Sequence, residues 1–236
     1  DMGESEHPID TFDTLEDLFV RQLCDGARPI DANPSAWVSP VDGCVGAFGA
    51  IKNDTLLQVK GKSYSLSRLL DDSGMAEMFE GGAYLTIYLA PHNYHRIHSP
   101  CEGLIQSCRH IPGALMPVYP ESLRYVDELF ASNERVVSYI QTAQAGLVSL
   151  VKVGATLVGR ISVVFDPSIQ TNAPGKKARS VHYDAPMAIT KGGQLGAFEL
   201  GSTVVLLSQP GKVTYEDLSE GQALCMGQKI GSIPGL

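Results

Sequence analysis

Four of the six histidines in this 236-residue chain fall between positions 92 and 110, and two of them, His95 and His98, stand three residues apart just after an apolar run. One segment therefore presents two imidazoles, the side chains whose ordinary pKa lies nearest neutrality. Such a pair can serve as acid and base, or can be a structural pair held by hydrogen bonds. Asp42 sits in a Pro-x-Asp-Gly stretch, where Asp-Gly is also good turn chemistry. Gly201 and Ser202 interrupt the apolar run Phe198 to Leu207 (FELGSTVVLL). A glycine inside a strand pattern marks a bulge or a close approach to the backbone, and the hydroxyl that follows it can reach the preceding carbonyl.

From residue types alone, two further readings stand beside a serine nucleophile. Asp42, His95 and His98 make a plausible catalytic zinc set, which would leave Ser202 without a role. SPVDGCVGAFG and GQALCMGQKIGSI look like the turn-and-strand elements of biotinyl and lipoyl domains, a non-enzymatic carrier reading, but no lysine stands in a tight hairpin of the kind those modules modify.

The bulk of the chain restricts what can carry this chemistry. At 44% hydrophobic and 19% charged, with mean hydropathy near zero, it has the composition of an ordinary globular protein. No apolar run approaches the roughly 18 residues of a membrane span. DMGESEHPID has neither a basic start nor an apolar middle, so no signal peptide is expected in it. Five scattered cysteines (Cys24, Cys44, Cys101, Cys108 and Cys225) without a CxxC pair indicate neither a disulfide framework nor a zinc knuckle. A net charge of −8 argues against a nucleic-acid partner.

The elements that must position these residues are mostly strands. Ala83 to Ala90 alternates and is rich in aromatic and β-branched residues, and Leu104 to Arg109, Arg135 to Thr142, Leu147 to Val153 and Thr156 to Val164 read as further strands. Trp37 to Ile51 reads as two short strands around a turn at Asp42 and Gly43, and Gln58 to Tyr64 as another strand. Helices are expected over Thr14 to Leu23, with Thr14 and Asp17 forming a capping box, and over Ser67 to Phe79. Asp166 to Ser180 reads as a surface loop, the His92 to Pro100 segment as a loop, and the end of the chain as a hairpin. Short strands at close spacing with few helices predict a mainly β or α+β fold of antiparallel sheets.

The stretches YLAPHNYHRIHSPCEGLI, SPVDGCVGAFG, NERV, VGATLVG, RQL-x(4)-RPID and the late FELGSTVVLL with PGKV occur together, and the set resembles the phosphatidylserine decarboxylase family from about Phe12 to the C-terminus. The resemblance implies a proenzyme that cuts itself between Gly201 and Ser202, giving a β chain of 1–201 and an α chain of 202–236 from a single catalytic domain. It implies that Ser202 becomes a pyruvoyl cofactor, that His98 is the base, that Asp42 orients His98, and that His95 gives the proton that quenches the decarboxylated intermediate. No metal is implied. The implied partners are phosphatidylserine, an anionic membrane surface, the chain's own two fragments and a second copy in a homodimer. Lipoyl/biotinyl-like β elements are expected around the active site. Membrane association, peripheral or through residues upstream of Asp1, is expected although the net charge of −8 opposes an anionic bilayer.

Overall fold

The computed structural model describes residues 2–57, 62–119, 122–156, 160–169, 171–172, 175, 177–199 and 202–235. Its strands are, in chain order, β1 (Ala36–Val38), β2 (Gly43–Ala50), β3 (Thr55–Leu57), β4 (Ser63–Ser65), β5 (Ala83–Leu89), β6 (Arg96–His98), β7 (Gly103–Ile111) and β8 (Arg135–Gln141). There follow β9 (Leu147–Val153), β10 (Ile161–Val163), β11 (Arg179–Ile189), β12 (Gln194–Phe198), β13 (Ser202–Ser208), β14 (Thr214–Tyr215), β15 (Ala223–Leu224) and β16 (Lys229–Ser232). Four short α-helices are described: α1 (Leu15–Phe19), α2 (Leu66–Leu70), α3 (Ser73–Glu77) and α4 (Leu129–Ser132).

An eight-stranded antiparallel sheet in the order β11-β7-β8-β9-β13-β5-β2-β15 is the main layer. Its middle strands β9 and β13 are buried at every position, which explains why LVSLVKV and STVVLLS carry little polar alternation. Toward the edge, β11 alternates between exposed and half-buried positions, and Pro186, which has no N–H to donate, sits in the irregular stretch between His182 and Met187 where pairing with β7 shifts. Two smaller sheets, β10-β12-β6 and β1-β16-β14, carry the remaining strands that matter to the site. The mainly β, antiparallel expectation holds.

The expected strands at Ala83, Leu104, Arg135 and Leu147 form within a residue or two of the expected bounds. Elsewhere local chemistry overrides the pattern. Thr14 caps α1 by accepting from the Asp17 amide at 3.1 Å, but the helix ends at Phe19 rather than Leu23, and Leu15 lies exposed. The single helix expected over Ser67 to Phe79 is two, because Asp71 adopts a left-handed conformation (φ 51°) and Asp72 starts α3 by accepting from Met75 N. The strands on either side of Asp42 are no hairpin: β1 pairs with β16 while β2 joins the main sheet. The strand expected over Gln58 to Tyr64 falls partly outside the described residues, within which β3 and β4 pair instead. The terminal hairpin is split, with β14 on β16 and β15 on β2. The His92 to Pro100 segment contains β6, which pairs with β12, so His98 stands on a strand. Leu200 and Gly201 lie outside the described residues.

Candidate active site

Asp42 lies in the bend between β1 and β2 and is buried. Its carboxylate accepts from Arg28 Nε at 2.8 and 3.0 Å, from Arg28 Nη2 at 2.6 Å and from the Met226 amide at 2.8 Å. These bonds hold the Arg28 guanidinium charged well above its ordinary pKa, and the same arginine bridges to Glu4 at 2.9 Å. Glycine is required at position 43, because a Cβ there would collide with the Tyr88 carbonyl across the β2–β5 pair. The turn thereby lies flat against β5.

The ring of His98 is set by two contacts. Nδ1 lies 2.8 Å from the carbonyl oxygen of Gly192, which can only accept, so Nδ1 carries the hydrogen. Nε2 is then the acceptor for the Tyr94 hydroxyl at 3.1 Å, and the two rings stack with centroids 5.6 Å apart. Gly192 has φ +75°, a conformation other residues rarely adopt, and a Cβ there would come within 2.7 Å of Ile30 Cδ1. Burial pushes the His98 pKa below its ordinary value, with the negative charge of Asp42 acting the other way. His98 is thus a neutral imidazole whose Nε2 lone pair becomes a base once the tyrosine hydroxyl turns away. The expectation that Asp42 orients His98 needs amending: among the described residues the ring is oriented by Gly192 and Tyr94, while Asp42 is bonded to Arg28. The two segments still meet, since the His98 amide donates to the Pro40 carbonyl at 2.8 Å.

His95 is fully buried and tilted against the Phe19 ring at 4.9 Å. Its Nε2 lies 3.2 Å from the Ala90 carbonyl, leaving Nδ1 as an acceptor that has no partner among the described residues. Burial lowers its pKa to about 4. Ser202 opens β13 directly opposite Leu89, the residue before Ala90. The Phe198 amide at the end of β12 donates to the His95 carbonyl at 3.0 Å. His95 therefore ties the end of β12, through its main chain, to the end of β5, through its ring, and β5 is the strand against which Ser202 pairs. The Ser202 hydroxyl is buried and has no hydrogen-bond partner among the described residues. The fold brings His95, His98 and Asp42 into one region and sets Ser202 one strand pairing from His95. No hydrogen bond joins Ser202 to either imidazole among the described residues.

The zinc reading loses its carboxylate here, because Asp42 is bonded to Arg28, although each imidazole keeps a ring nitrogen that could accept. Among the described residues no group of three or more His, Cys, Asp or Glu side chains is placed to hold a metal ion.

Residue-type reasoning did not single out Arg28, Tyr94, Gly192 or Arg96. Arg28 and Tyr94 lie inside RQL-x(4)-RPID and YLAPHNYHRIHSP, the stretches that carried the resemblance, but nothing in their spacing tells which partner they meet. Arg28, Tyr94, Arg96, Gln194 and Met226 line a polar cleft of about 160 Å³. On the opposite face of the main sheet, Thr203 joins Cys44, Thr86, Tyr88 and Phe130 around an apolar cavity of about 100 Å³. Glu199, three residues before Ser202, has its carboxyl pushed up to about 7 by burial and by the Glu16 carboxyl beside it.

With this geometry in place, comparison with known proteins is direct. The family model described as phosphatidylserine decarboxylase matches residues 15–232. A protein from Myxococcus xanthus named phosphatidylserine decarboxylase proenzyme is 45% identical over 235 residues, covering 99% of this chain and 82% of that protein. Proteins of the same name from Anaeromyxobacter sp. and Brevibacillus brevis are 45% and 41% identical, covering 96% and 95% of this chain and 81% of each relative. A match over this length at this identity settles the grouping: the chain belongs to the phosphatidylserine decarboxylase family.

Proposed function

We propose that this chain is a single catalytic domain that cuts itself between Gly201 and Ser202 and, so activated, converts phosphatidylserine to phosphatidylethanolamine and carbon dioxide. The observation that carries the reading is Ser202 itself: a serine at the first position of a fully buried central strand, with a hydroxyl that no described residue engages. An unpaired buried hydroxyl costs about 1–3 kcal/mol; Thr86, Ser149 and Thr203 share that state, and what sets Ser202 apart is its place directly after Gly201, where the strand begins. A free hydroxyl at the start of a strand is the arrangement a nucleophile needs.

His98, neutral and with its hydrogen on Nδ1, takes the Ser202 hydroxyl proton on Nε2. Gly192 fixes the tautomer, and the charge of Asp42 favours the imidazolium that forms. Asp42 reaches the ring through its field, and Arg28 holds the carboxylate in place. The hydroxyl oxygen attacks the Gly201 carbonyl, and the chain parts into 1–201 and 202–236. Residues 202–208 stay seated after the cut because β13 pairs along its length with both β5 and β9. The buried, unengaged position of Ser202 fits a group as small as the pyruvoyl made from it, and when present that group supplies an electron sink for loss of carbon dioxide. His95, fully buried against Phe19 and the Ala90 carbonyl, gives the proton that completes the reaction; because burial keeps the ring neutral at rest, it takes that proton up during turnover. The polar cleft lined by Arg28 and Arg96 supports an anionic headgroup as ligand, and with it a working surface at a lipid bilayer that contains phosphatidylserine.

The test is carbon dioxide release from carboxyl-labelled phosphatidylserine in mixed micelles, for the wild-type chain and for Ser202→Ala. Release by the wild type and none by the variant is expected. A wild-type chain inert on phosphatidylserine overturns the reading.

A further inference from the structure

Lys152 is a fully buried lysine one residue from the end of β9, and the chemistry proposed above gives it no role. Its Nζ donates to Ser138 Oγ at 2.6 Å, and among the described residues no carboxylate pairs with it. Buried charges are ordinarily paired, so an amine kept here without a counter-ion asks for a reason. Register supplies the place. In the β13–β9 pair Val204 lies opposite Lys152 and Thr203 opposite Val153, so side chains alternate such that Lys152, Val204 and Ser202 share one face. Lys152 is the diagonal neighbour of Ser202 on the adjacent strand, where side chains are about 7–8 Å apart, within the span of a lysine. Nζ has hydrogen-bonding capacity beyond Ser138, and the Ser202 hydroxyl has no partner among the described residues.

Self-cleavage at Ser202 removes two different protons from one residue. The hydroxyl proton goes first, as the chain shifts onto oxygen. The resulting ester must then lose the proton on the α-carbon of residue 202, a carbon acid that calls for a stronger base than a hydroxyl does. We propose that Lys152 is the base that takes the α-proton of Ser202 in this elimination, an inference that rests on the self-processing reading above. The Cα–H bond breaks and its electron pair forms the Cα–Cβ double bond. The Cβ–Oγ bond breaks, its electrons leave on the carboxylate that ends residues 1–201, and the proton resides on Nζ, still held by Ser138. No oxidant or further reactant is required. Base strength favours the assignment: burial brings the lysine to about 8, so a neutral amine is available near neutral pH, while both imidazoles are weaker bases because burial lowers them below their ordinary value.

The experiment follows processing by intact mass, with and without neutral hydroxylamine, in the wild type, Lys152→Met and Lys152→Leu. Hydroxylamine splits an accumulated ester, giving 1–201 as a hydroxamate and 202–236 with an intact N-terminal serine. The variants are expected to form the blocked α chain about 100-fold more slowly and to accumulate hydroxylamine-labile chain. Wild-type rates in either variant overturn the assignment. So does uncut, hydroxylamine-resistant variant chain with native near-ultraviolet dichroism, since Lys152 would then act before the ester forms. If the wild type itself stays whole and resistant, the self-processing reading fails rather than the role of Lys152 within it.

Discussion

Replacing Lys152 by methionine should make the uncut protein more stable, by an amount that depends on pH in a defined direction. The perturbation is best made in a Ser202→Ala background, so that both chains stay whole. A lysine held near 8 rather than at its ordinary 10.5 costs the folded state about 3 kcal/mol, from roughly 1.4 kcal/mol per pH unit. Burial is the cause, and among the described residues the Cys108 thiol on the same sheet face acts the other way. Methionine fills similar volume without charge, and it gives up the hydrogen bond to Ser138, worth about 1 kcal/mol. The net gain at pH 7 is about 2 kcal/mol, or roughly 4–8 °C in Tm for a chain of this size. The sign follows from linkage. The unfolded lysine binds its proton more tightly, so the penalty is full below pH 8 and shrinks as pH rises toward 10.5. Thermal melts of the pair at pH 7, 8, 9 and 10 should show the gap closing as the parent gains on the variant. A variant less stable than its parent at pH 7, or a gap that ignores pH, would refute the reasoning.

Two further perturbations probe the rest of the site. Arg28→Met leaves the buried Asp42 carboxylate without its cation and should destabilise the fold by about 3–5 kcal/mol; a denaturant midpoint unchanged from wild type would show that the pair contributes nothing net. His95 is buried neutral with a pKa near 4, so the folded state binds fewer protons than the unfolded one. Its share of stability is complete above pH 6.5 and is lost as pH falls from 6.5 toward 4. His95→Phe should therefore flatten the acid limb of a stability profile, and an acid limb identical to wild type would count against the buried, neutral imidazole.

What the sequence made legible follows from how local each signal is. The long strands β5, β7, β8 and β9 carry their own apolar or alternating pattern and were placed nearly to the residue. Thr14 and Asp17 announced a helix start, because a cap is a matter of three residues, but nothing local to that window marks where the helix ends against its neighbours. The Asp71–Asp72 break was present as two adjacent aspartates, yet the apolar periodicity through Leu69, Leu70, Met75 and Phe79 outweighed it. Three-residue strands such as β6 and β10 are too short to show a period, so His98 read as a loop residue and its stacking on Tyr94 was hidden. Partners distant along the chain were hidden for the same reason: Gly192 lies 94 positions from His98, and Met226 lies 184 from Asp42. Asp42, His95, His98 and Ser202 were named through the run of motifs as a set, whereas the bonding of Asp42 to Arg28 became visible only with the fold. Lys152 was not singled out, because a lysine buried in the middle of a sheet breaks the pattern by which strands are read.

The central claim is that this chain cuts itself at Ser202. The most direct measurement is the intact mass of freshly purified wild-type chain under denaturing conditions, beside Ser202→Ala. Two fragments are predicted, 1–201 and 202–236, the smaller one ammonia lighter than its serine-ended form and blocked to Edman sequencing, while the alanine variant remains whole. A single uncut mass for the wild type, or cleavage that persists in Ser202→Ala, would contradict the account.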